Sequence, residues 1–323
     1  MESQNYINEL VSVIIPTYKR CDMLKRAINS VLHQTYSYLE VLIVDDNNIG
    51  DEYSNKVKII INSIKDNRIR LITQPTHING AAARNAGIKA SKGEFIAFLD
   101  DDDFWHYKKI EKQIEVLKKL PANYGGVGTE LIQFKNENIC RVIPRYTDKD
   151  QNFKTMSRLI EISICAVLLK RNCLDETGYF DESLLRHQEV QLFSYFTEKY
   201  KIYQIREPLT YIDISDSKNR PSVATIEDRK NDFYKSISPL ILKLSDKRKR
   251  IFYAMNNSEI YWLMIKEKKY KQAINGFNKI VRDPVVFVYL LRRFIERKIG
   301  QLRVKALKKE TILELSNIIN IDE

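Results

Sequence analysis

The chain has 323 residues, of which 44% are hydrophobic and 29% charged, and its formal net charge is +11 at pH 7. This composition is typical of a globular protein and excludes an intrinsically disordered chain. The sequence contains no run of 18 apolar residues and no N-terminal signal-peptide pattern, so we expect neither a membrane span nor a secretory leader. The positive charge lies near the C-terminal end, because residues 241–310 carry 19 Lys and Arg against 6 Asp and Glu.

Cysteine and histidine are too few and too scattered to indicate a zinc site. No C-x-x-C or other metal-ligand spacing occurs, and no two of the four histidines pair at helical spacing. We therefore expect free thiols, which are typical of a protein in the reducing cytoplasm. The cysteines are Cys21, Cys140, Cys165 and Cys173.

Apolar runs of strand length alternate with stretches of helical period in the N-terminal third of the chain. The apolar runs predict buried parallel strands at residues 11–15, 41–44, 69–73 and 95–99. The other stretches predict helices at residues 22–34 (with Asp22 as the N-cap), 51–66 and 80–90. This alternation predicts a doubly wound α/β sheet. Beyond it we expect a helix at 110–120, a loop entering a strand at 125–134, and an amphipathic helix that follows Gln188-Glu189 and begins with Val190.

Polar side chains follow three of the predicted strands where each strand ends. Thr17 and Tyr18 follow the first, Asp46 follows the second, and the run from Asp100 to Asp103 follows the fourth. Ligands bind at the carboxyl ends of strands in such sheets, so this edge is the predicted site. The adjacent carboxylates repel one another, and a hard divalent cation would neutralise them, although a solvated acidic loop is the alternative. The absence of a G-x-G-x-x-G motif after the first strand and of a P-loop excludes those two nucleotide sites.

Five motifs in fixed order resemble the family 2 glycosyltransferases of GT-A fold. They are VSVIIPTYKR, VLHQTY, LEVLIVDDNN, NGAAARNAGIKASKG and EFIAFLDDDDFW. The resemblance is dense over residues 10–110 and continues more thinly to about residue 215. It implies a GT-A domain, which is a doubly wound, Rossmann-like nucleotide-diphospho-sugar transferase fold. It further implies an inverting enzyme of the D-x-D type that acts in bacterial surface-polysaccharide synthesis.

The resemblance implies a donor site for a nucleoside-diphosphate sugar. In it Tyr18 would stack on the base, Asp46 would accept a hydrogen bond from uracil, and Arg84 would bind the pyrophosphate. Asp102, with Asp100, would hold Mn²⁺ or Mg²⁺. The complete set of implied donor contacts is Pro16, Thr17, Tyr18, Asp46, Arg84, Asn85 and Asp100.

Within the acidic run, the resemblance implies that Asp103 supports the metal ligands and that Asp101 fills a variable position. Each donor contact also has a structural alternative. Tyr18 could pack the loop after the first strand, Asp46 could cap a turn, and Arg84 could pair with a surface carboxylate.

An acidic dipeptide marks the acceptor side in the family, where a Glu-Asp pair supplies the general base. Here the dipeptide is Gln188-Glu189, so the resemblance implies that Glu189 is the base, with one extra methylene. His187 would shape the acceptor pocket. The other acidic candidates are Asp175, Asp181 and Glu182.

The family often carries a histidine after the following strand. This chain has Tyr211, Ile212 and Asp213 there, which removes one potential ligand or phosphate contact. Arg220 and Ser222 would then be the polar groups of a turn-rich loop.

The composition changes near residue 226, which predicts a GT-A domain at 1–225 and a basic α-helical region at 226–323. Residues 259–284 have the spacing of one tetratricopeptide-like helical pair, which must pack on neighbours to bury its apolar side. Residues 284–309 predict a basic amphipathic helix. It either lies on an anionic membrane surface or packs on the catalytic domain, and we expect no nucleic acid partner because no nucleic-acid-binding motif is present.

These patterns together predict a cytoplasmic inverting glycosyltransferase, free or peripheral on the inner face of the cell membrane. It would move a sugar from a UDP-sugar to a hydroxyl of a glycan or lipid-linked glycan. The Gln-Glu dipeptide keeps open a second hypothesis, a non-catalytic nucleotide-sugar or glycan-binding module that recruits a partner through its helices. A nucleotidyltransferase is a third, and the missing glycine-rich lysine signature counts against it.

Overall fold

The computed structural model describes residues 6–136, 138–143, 149–215, 222–305 and 307. Its strands are β1 Ile7–Thr17, β2 Leu39–Asp45, β3 Ile69–Thr73, β4 Gly93–Phe98, β5 Phe104–Trp105, β6 Tyr124–Lys135, β7 Asn138–Ile143, β8 Val167–Lys170 and β9 Lys201–Asp213. They form one mixed sheet in the order β3-β2-β1-β4-β8-β6-β9-β5, and β7 pairs with β6.

The first half of this sheet is parallel and buried. β1 pairs with β2 and β4, and β2 pairs with β3, all in parallel. The register sets Thr17 opposite Asp45, and Asp45 opposite Thr73, so the carboxyl ends of the three strands align. Each of the four predicted strands is present, because a continuous apolar run is the local signature of a strand covered on both faces. The observed strands begin up to four residues before the predicted ones, and β3 has the predicted bounds.

The second half is mixed, and it corrects one prediction. β8 runs antiparallel to β4 and β6, β9 runs parallel to β6, and β5 runs antiparallel to β9. The loop predicted at the start of 125–134 is wrong, because this stretch is strand throughout. A Cβ on Gly125 would lie 2.7 Å from Phe196 Cζ, and one on Gly126 would lie 2.8 Å from Leu169 Cδ2. The glycines therefore allow close packing of β6 rather than a turn.

The N-terminal two thirds contain the five predicted helices and two short ones that were not predicted. They are α1 Leu24–Leu32, α2 Glu52–Ile64, α3 Gly80–Ala90, α4 Lys109–Leu117, α5 Gln151–Met156, α6 Arg171–Thr177 and α7 Gln188–Lys199, and the two short ones are α5 and α6. Asp22 is not the N-cap of α1, because Met23 holds that position without a side-chain cap. The Leu24 N–H instead donates to the Cys21 carbonyl at 3.2 Å, so a backbone turn replaces the side-chain cap.

Helix α3 lies unusually close to the sheet. The Asn79 side chain caps it by accepting hydrogen bonds from the Ala81 and Ala82 N–H groups at 2.9 and 3.0 Å. At Gly87 an added Cβ would lie 2.4 Å from Ile14 Cγ2, so only glycine allows this approach. The close contact fixes the height of α3 above β1 and brings its N-terminal turn to the carboxyl edge of the sheet.

The remaining described residues are helical, as predicted. The helices are α8 Val223–Ser236, α9 Ser238–Leu242, α10 Asp246–Lys266, α11 Tyr270–Val281 and α12 Pro284–Val304. They bury a second apolar cluster, in which Phe233, Phe252 and Met255 meet Phe153 and Met156 of the α5 segment. Because this core joins both regions, the boundary at residue 225 stays a prediction.

The predicted helical pair corresponds to α10 and α11. The two helices approach so closely that a Cβ on Gly276 would lie 2.3 Å from Tyr261 Cε1. The pair packs against α8 and α12, which supplies the neighbours that a single such unit needs.

Helix α12 packs on the sheet with one side and exposes apolar groups on the other. A Cβ on Gly300 would lie 2.5 Å from the Val142 carbonyl oxygen, and Arg303 binds the buried Glu130 carboxylate at 3.1 and 2.6 Å. No helix among the described residues is long and apolar enough to span a membrane. The exposed apolar side chains of α12 are Phe287, Val288, Leu291, Phe294, Ile295, Ile299 and Leu302.

Candidate active site

The carboxyl ends of β1, β2 and β4 form one polar edge. The Asp46 N–H donates to the Thr17 carbonyl at 3.0 Å, and the Thr17 hydroxyl donates to Asp101 Oδ2 at 2.8 Å. Pro16 is still part of β1 and pairs with Val44. The structure therefore brings together side chains that the sequence places as far as 84 residues apart.

A small polar pocket surrounds Asp46. Its Oδ1 accepts from Gln74 Nε2 at 3.0 Å and from the Ile78 N–H at 3.4 Å, and its Oδ2 lies 2.8 Å from His77 Nδ1. The His77 ring stacks on Tyr18, with centroids 3.6 Å apart. Burial raises the pKa of Asp46, and the neighbouring His77 partly offsets this. Gln74 and His77 lie in the loop after β3, which sequence reasoning did not single out.

Two arginines neutralise the acidic run. Arg20 lies 3.0 Å from the Asp101 carboxylate and 2.5 Å from that of Asp102. Arg26 is buried and donates to the Asp102 carbonyl at 2.7 Å. Burial raises the pKa of Asp101 to about 7, although Arg20 acts in the opposite direction. Asp101, the variable position of the motif, is therefore a structural group in this chain.

Asp103 is buried like Asp101. It accepts a hydrogen bond from the Asp213 N–H at 2.9 Å, and burial followed by the charges of Asp100 and Asp102 raises its pKa well above the ordinary value. Burial raises the pKa of Asp102, Arg20 acts against this shift, and the charges of Asp100 and, to a smaller extent, Asp213 add to it.

Asp213 ends β9, and its carboxylate lies 3.7 Å from Arg26, beside the acidic run. A carboxylate thus lies where the family often carries a histidine. The acid at a strand end was the available signal, but pairing of β9 with β5 and β6 brings it here, and such long-range pairing is not readable locally. Arg220 lies outside the described residues, and Ser222 is the N-cap residue of α8.

Arg84 connects the acidic run to Glu189. It is buried on α3, and its Nη2 donates to Asp100 Oδ1 at 2.6 Å. Burial alone would lower its pKa, but the carboxylates of Asp100 and Glu189 raise it above the ordinary value. Its partner is therefore a carboxylate of the site and not one on the surface.

Glu189 lies in the first turn of α7 and is half-buried. Its Oε2 accepts a hydrogen bond from the Ile164 N–H at 3.1 Å, and its other oxygen has no hydrogen-bond partner in the described part of the chain. Burial raises the pKa of Glu189 to about 7; Arg84 acts against this shift and Asp100 adds to it. Such a group can take up a proton near neutral pH.

The other acidic candidates are engaged elsewhere. Asp175 pairs with Arg171 at 2.9 Å, and Asp181 accepts a hydrogen bond from the Ser183 hydroxyl at 2.6 Å. Among the four candidates, Glu189 is the one whose charge acts on Arg84.

Asn85 faces the neighbouring segment rather than the acidic edge. Its Nδ2 donates to the Phe180 carbonyl at 2.9 Å and to Glu182 Oε1 at 2.8 Å, and its Oδ1 accepts from the Phe180 N–H at 3.1 Å. These bonds use both N–H groups of the amide and one lone pair of its oxygen, so Asn85 fixes the 180–182 segment against α3. A direct donor contact by Asn85 stays a prediction.

The chemistry of the donor set fits a hard divalent cation. Ligand atoms of Asp100, Asp103 and Cys165 lie within 4.8 Å of one another. Burial and the nearby carboxylates raise the pKa of Cys165 well above its ordinary value, which keeps the thiol protonated and makes it a poor ligand. Carboxylate oxygens are the ligands that Mg²⁺ and Mn²⁺ prefer.

The family model for glycosyl transferase family 2 matches residues 12–177, which is half of the chain. The chain belongs to glycosyltransferase family 2. An uncharacterized glycosyltransferase of Rickettsia typhi is 32% identical over 221 residues, covering 66% of this chain and 67% of that protein. The Escherichia coli enzyme WfaP, a UDP-Glc:α-D-GlcNAc-diphosphoundecaprenol β-1,3-glucosyltransferase, is 42% identical over 110 residues, covering 34% of this chain and only 42% of that enzyme.

Solved structures support the same fold for this glycosyltransferase. The Staphylococcus aureus TarS fragment 1–349 in complex with UDP-GlcNAc has a TM-score of 0.59, with 16% identity over 92% of this chain and 91% of that one. The mannosyltransferase PcManGT of Pyrobaculum calidifontis, in complex with GDP-Man and Mn²⁺, has a TM-score of 0.54, with 15% identity over 89% of this chain and 86% of that one. The predicted GT-A fold with a helical C-terminal region is confirmed.

Proposed function

We propose that this family 2 glycosyltransferase moves a sugar from a UDP-sugar to a hydroxyl of a glycan or lipid-linked glycan with inversion at the anomeric carbon, in bacterial surface-polysaccharide synthesis. The observation that carries the proposal is the position of Arg84, which is bonded to Asp100 of the donor edge and acts electrostatically on Glu189. A single buried arginine thus joins the group that would bind the leaving diphosphate to the group that would activate the acceptor.

The Asp46 pocket supports uracil as the base. A carboxylate offers about four lone-pair positions, and the protein uses three of them in the contacts from Gln74, His77 and Ile78. One position remains for the imide N–H of uracil. The stack on His77 orients the Tyr18 ring beside the Asp46 carboxylate, where the ring would stack on the base.

The donor's diphosphate would lie beside Arg84. Its cation would lie beside the carboxylates of Asp100, Asp102 and Asp213. Bound Mn²⁺ or Mg²⁺ would offset charge on the departing diphosphate and act as a Lewis acid. Arg84 would bind phosphate oxygens in the two-pronged geometry of a guanidinium. Arg20, which now neutralises Asp102, would yield that carboxylate to the cation.

Glu189 would take the proton from the acceptor hydroxyl as that oxygen attacks the anomeric carbon. The Ile164 N–H holds one carboxylate oxygen and leaves the other for the proton. One base on the face opposite the leaving group suffices for an inverting transfer, and its pKa near 7 suits it to that task.

The exposed side of α12 fits an anionic membrane surface, where a lipid-linked acceptor would be found. Phe294 and Ile295 are 54% and 47% exposed, and Arg297 and Lys298 follow them on the exposed part of the helix. Apolar side chains beside cations are typical of helices that lie in the membrane interface. This would make the protein peripheral on the cytoplasmic face.

Release of UDP from a panel of UDP-sugars in the presence of Mn²⁺ tests the proposed function. We expect slow hydrolysis of one donor even without acceptor, lost on removal of the metal and in Asp102→Asn. A protein that binds a UDP-sugar but never turns it over, even with lipid-linked acceptors, would instead be a non-catalytic binding module.

A further inference from the structure

Two segments of the chain fix the position of Glu189. The first is the turn into α7, where His187 is the N-cap residue with a φ of 63°. The second runs from Arg158, with a φ of 53°, to Ile164, whose N–H donates to Glu189 Oε2 at 3.1 Å. Residues other than glycine rarely adopt a positive φ and keep it only where surrounding contacts enforce it. Both segments therefore need contacts from elsewhere in the fold.

One carboxylate of α10, that of Glu259, contacts both segments. Its Oε1 accepts a hydrogen bond from Arg186 Nη2 at 2.8 Å, at the turn into α7. Its Oε2 contacts Arg158, at the start of the second segment, and lies 2.8 Å from Lys230 Nζ of α8. The two oxygens of one side chain thus bind the two segments that fix Glu189.

This link consists of ionised groups near neutral pH. Burial alone would raise the pKa of Glu259, but the charges of Arg158 and Lys230 hold it well below its ordinary value. Burial lowers the pKa of the adjacent His187 to about 2, so that ring is neutral. The Glu259 side chain is 19% exposed and that of Lys230 only 1%, so salt screens these contacts much less than it screens a surface ion pair.

Helix α10 also holds the second segment at another point. Asn256 is fully buried and lies three residues before Glu259, so the two side chains project from the same face of the helix. Asn256 Nδ2 donates to the Met156 carbonyl at 3.0 Å, two residues before Arg158. The contact of α10 with this segment is therefore a packed interface and not one isolated ion pair.

We propose that Glu259 is a positioning residue for the general base Glu189. By binding Arg158 and Arg186 together, it would keep the Ile164 N–H and the first turn of α7 at the separation that lets one Glu189 oxygen accept the Ile164 bond while the other receives the acceptor proton. The proposal rests on the proposed function, because it serves the base of that reaction. The helical C-terminal region would then contribute to catalysis without touching the substrate.

A double-mutant cycle on sugar transfer tests whether Glu259 acts through the base. We expect Glu259→Gln to slow single-turnover transfer about tenfold with unchanged affinity for UDP, because a small displacement of a catalytic group is costly. In a Glu189→Gln background the same change should have no further effect. Glu130→Gln, which breaks the other buried ion pair between the C-terminal helices and the sheet, is the matched control and should leave the rate unchanged.

Hydrogen–deuterium exchange tests the positioning without reference to activity. In Glu259→Gln, peptides that span residues 158–166 and 184–192 should exchange at least about tenfold faster than in the wild type, whereas a peptide that spans residues 11–17 should not change. Arg186→Gln removes one contact at a partly exposed side chain and should speed exchange at 184–192, so the test stands even if Glu259→Gln fails to fold.

A loss of rate that persists in the Glu189→Gln background, or an equal loss in Glu130→Gln, would overturn the proposal in favour of a general effect on stability. Unchanged exchange of both segments in Glu259→Gln and in Arg186→Gln would overturn it as well. Full activity of Glu189→Gln alone counts against the proposed function instead, and the exchange comparison still decides whether Glu259 holds the two segments.

Discussion

The surroundings of Glu189 raise its pKa into the range that suits a general base. Withdrawal from water raises its pKa to about 7, and the Arg84 guanidinium keeps the shift from being larger. As the proposed general base it would be active when ionised. We expect the rate of UDP release under saturating donor and acceptor to rise with pH and level off above about pH 7. A rate independent of pH between 5 and 8 would contradict this role.

The raised pKa of Glu189 also lowers the free energy of unfolding at neutral and higher pH. The folded protein binds a proton at Glu189 up to about pH 7, whereas the unfolded chain releases it near 4.5, so folding becomes less favourable as pH rises between these values. Glu189→Gln should therefore raise the free energy of unfolding at pH 8 by about 1–2 kcal/mol, since a half-buried group feels part of the full shift. It should have little effect at pH 4. Denaturant unfolding at both pH values measures this, and equal effects would contradict the assigned cause.

Asp46 gives a second prediction at this scale. Its remaining lone-pair position would face the imide N–H of uracil, which donates a hydrogen bond. In cytosine the same ring nitrogen is an acceptor, so UDP should bind at least about tenfold more tightly than CDP. Asp46→Ala should remove most of that discrimination. Competitive calorimetry with both nucleotides measures it, and equal affinities in the wild type would rule out this readout of the base.

At the scale of elements, the depth of α3 is the feature that places Arg84. Gly87→Ala would push the helix away from Ile14 and Val44, where an added Cβ comes within 2.4 and 3.1 Å. We expect a loss of about 1–3 kcal/mol in stability and weaker UDP binding. Lys89→Ala, exposed on the same helix, is the matched control and should change neither. Unchanged UDP affinity in Gly87→Ala would show that the donor site does not depend on this packing.

Local sequence patterns were sufficient to predict the parallel half of the sheet and its polar edge. Continuous apolar runs fixed β1 to β4, and the acids at their ends marked the positions of Asp46 and Asp100. The second half depends on long-range contacts: β6 is a strand because its glycines pack on Phe196 and Leu169, and Asp213 joins the edge because β9 runs beside β6. No local pattern contains that information.

At the scale of the whole molecule, the basic C-terminal helices have two distinct surfaces. One packs on the sheet through Arg303 and Glu130, and the other exposes an apolar row. The two interpretations of 284–309 are therefore compatible as far as the described residues reach. The ion pair between Glu259 and Arg186 further ties α10 to the turn before α7.

The exposed apolar side chains of α12 predict membrane binding. The protein should sediment with phosphatidylglycerol vesicles at low salt and far less with phosphatidylcholine vesicles, because cations flank the apolar side chains. Phe294→Glu should reduce sedimentation several-fold. Ile59→Glu, at an exposed apolar position on α2, is the matched control and should not reduce it. Equal binding to both kinds of vesicle, or equal loss in both variants, would contradict a membrane role for α12.

The most direct measurement of the central claim is single-turnover sugar transfer from the UDP-sugar selected by the hydrolysis panel to a lipid-linked acceptor, by wild type and Glu189→Gln. The account predicts transfer with inverted anomeric configuration in the wild type, read by NMR of the product. It predicts a loss of at least about a hundredfold in Glu189→Gln, with unchanged UDP affinity. Retained configuration in the product, or full activity in Glu189→Gln, would contradict it.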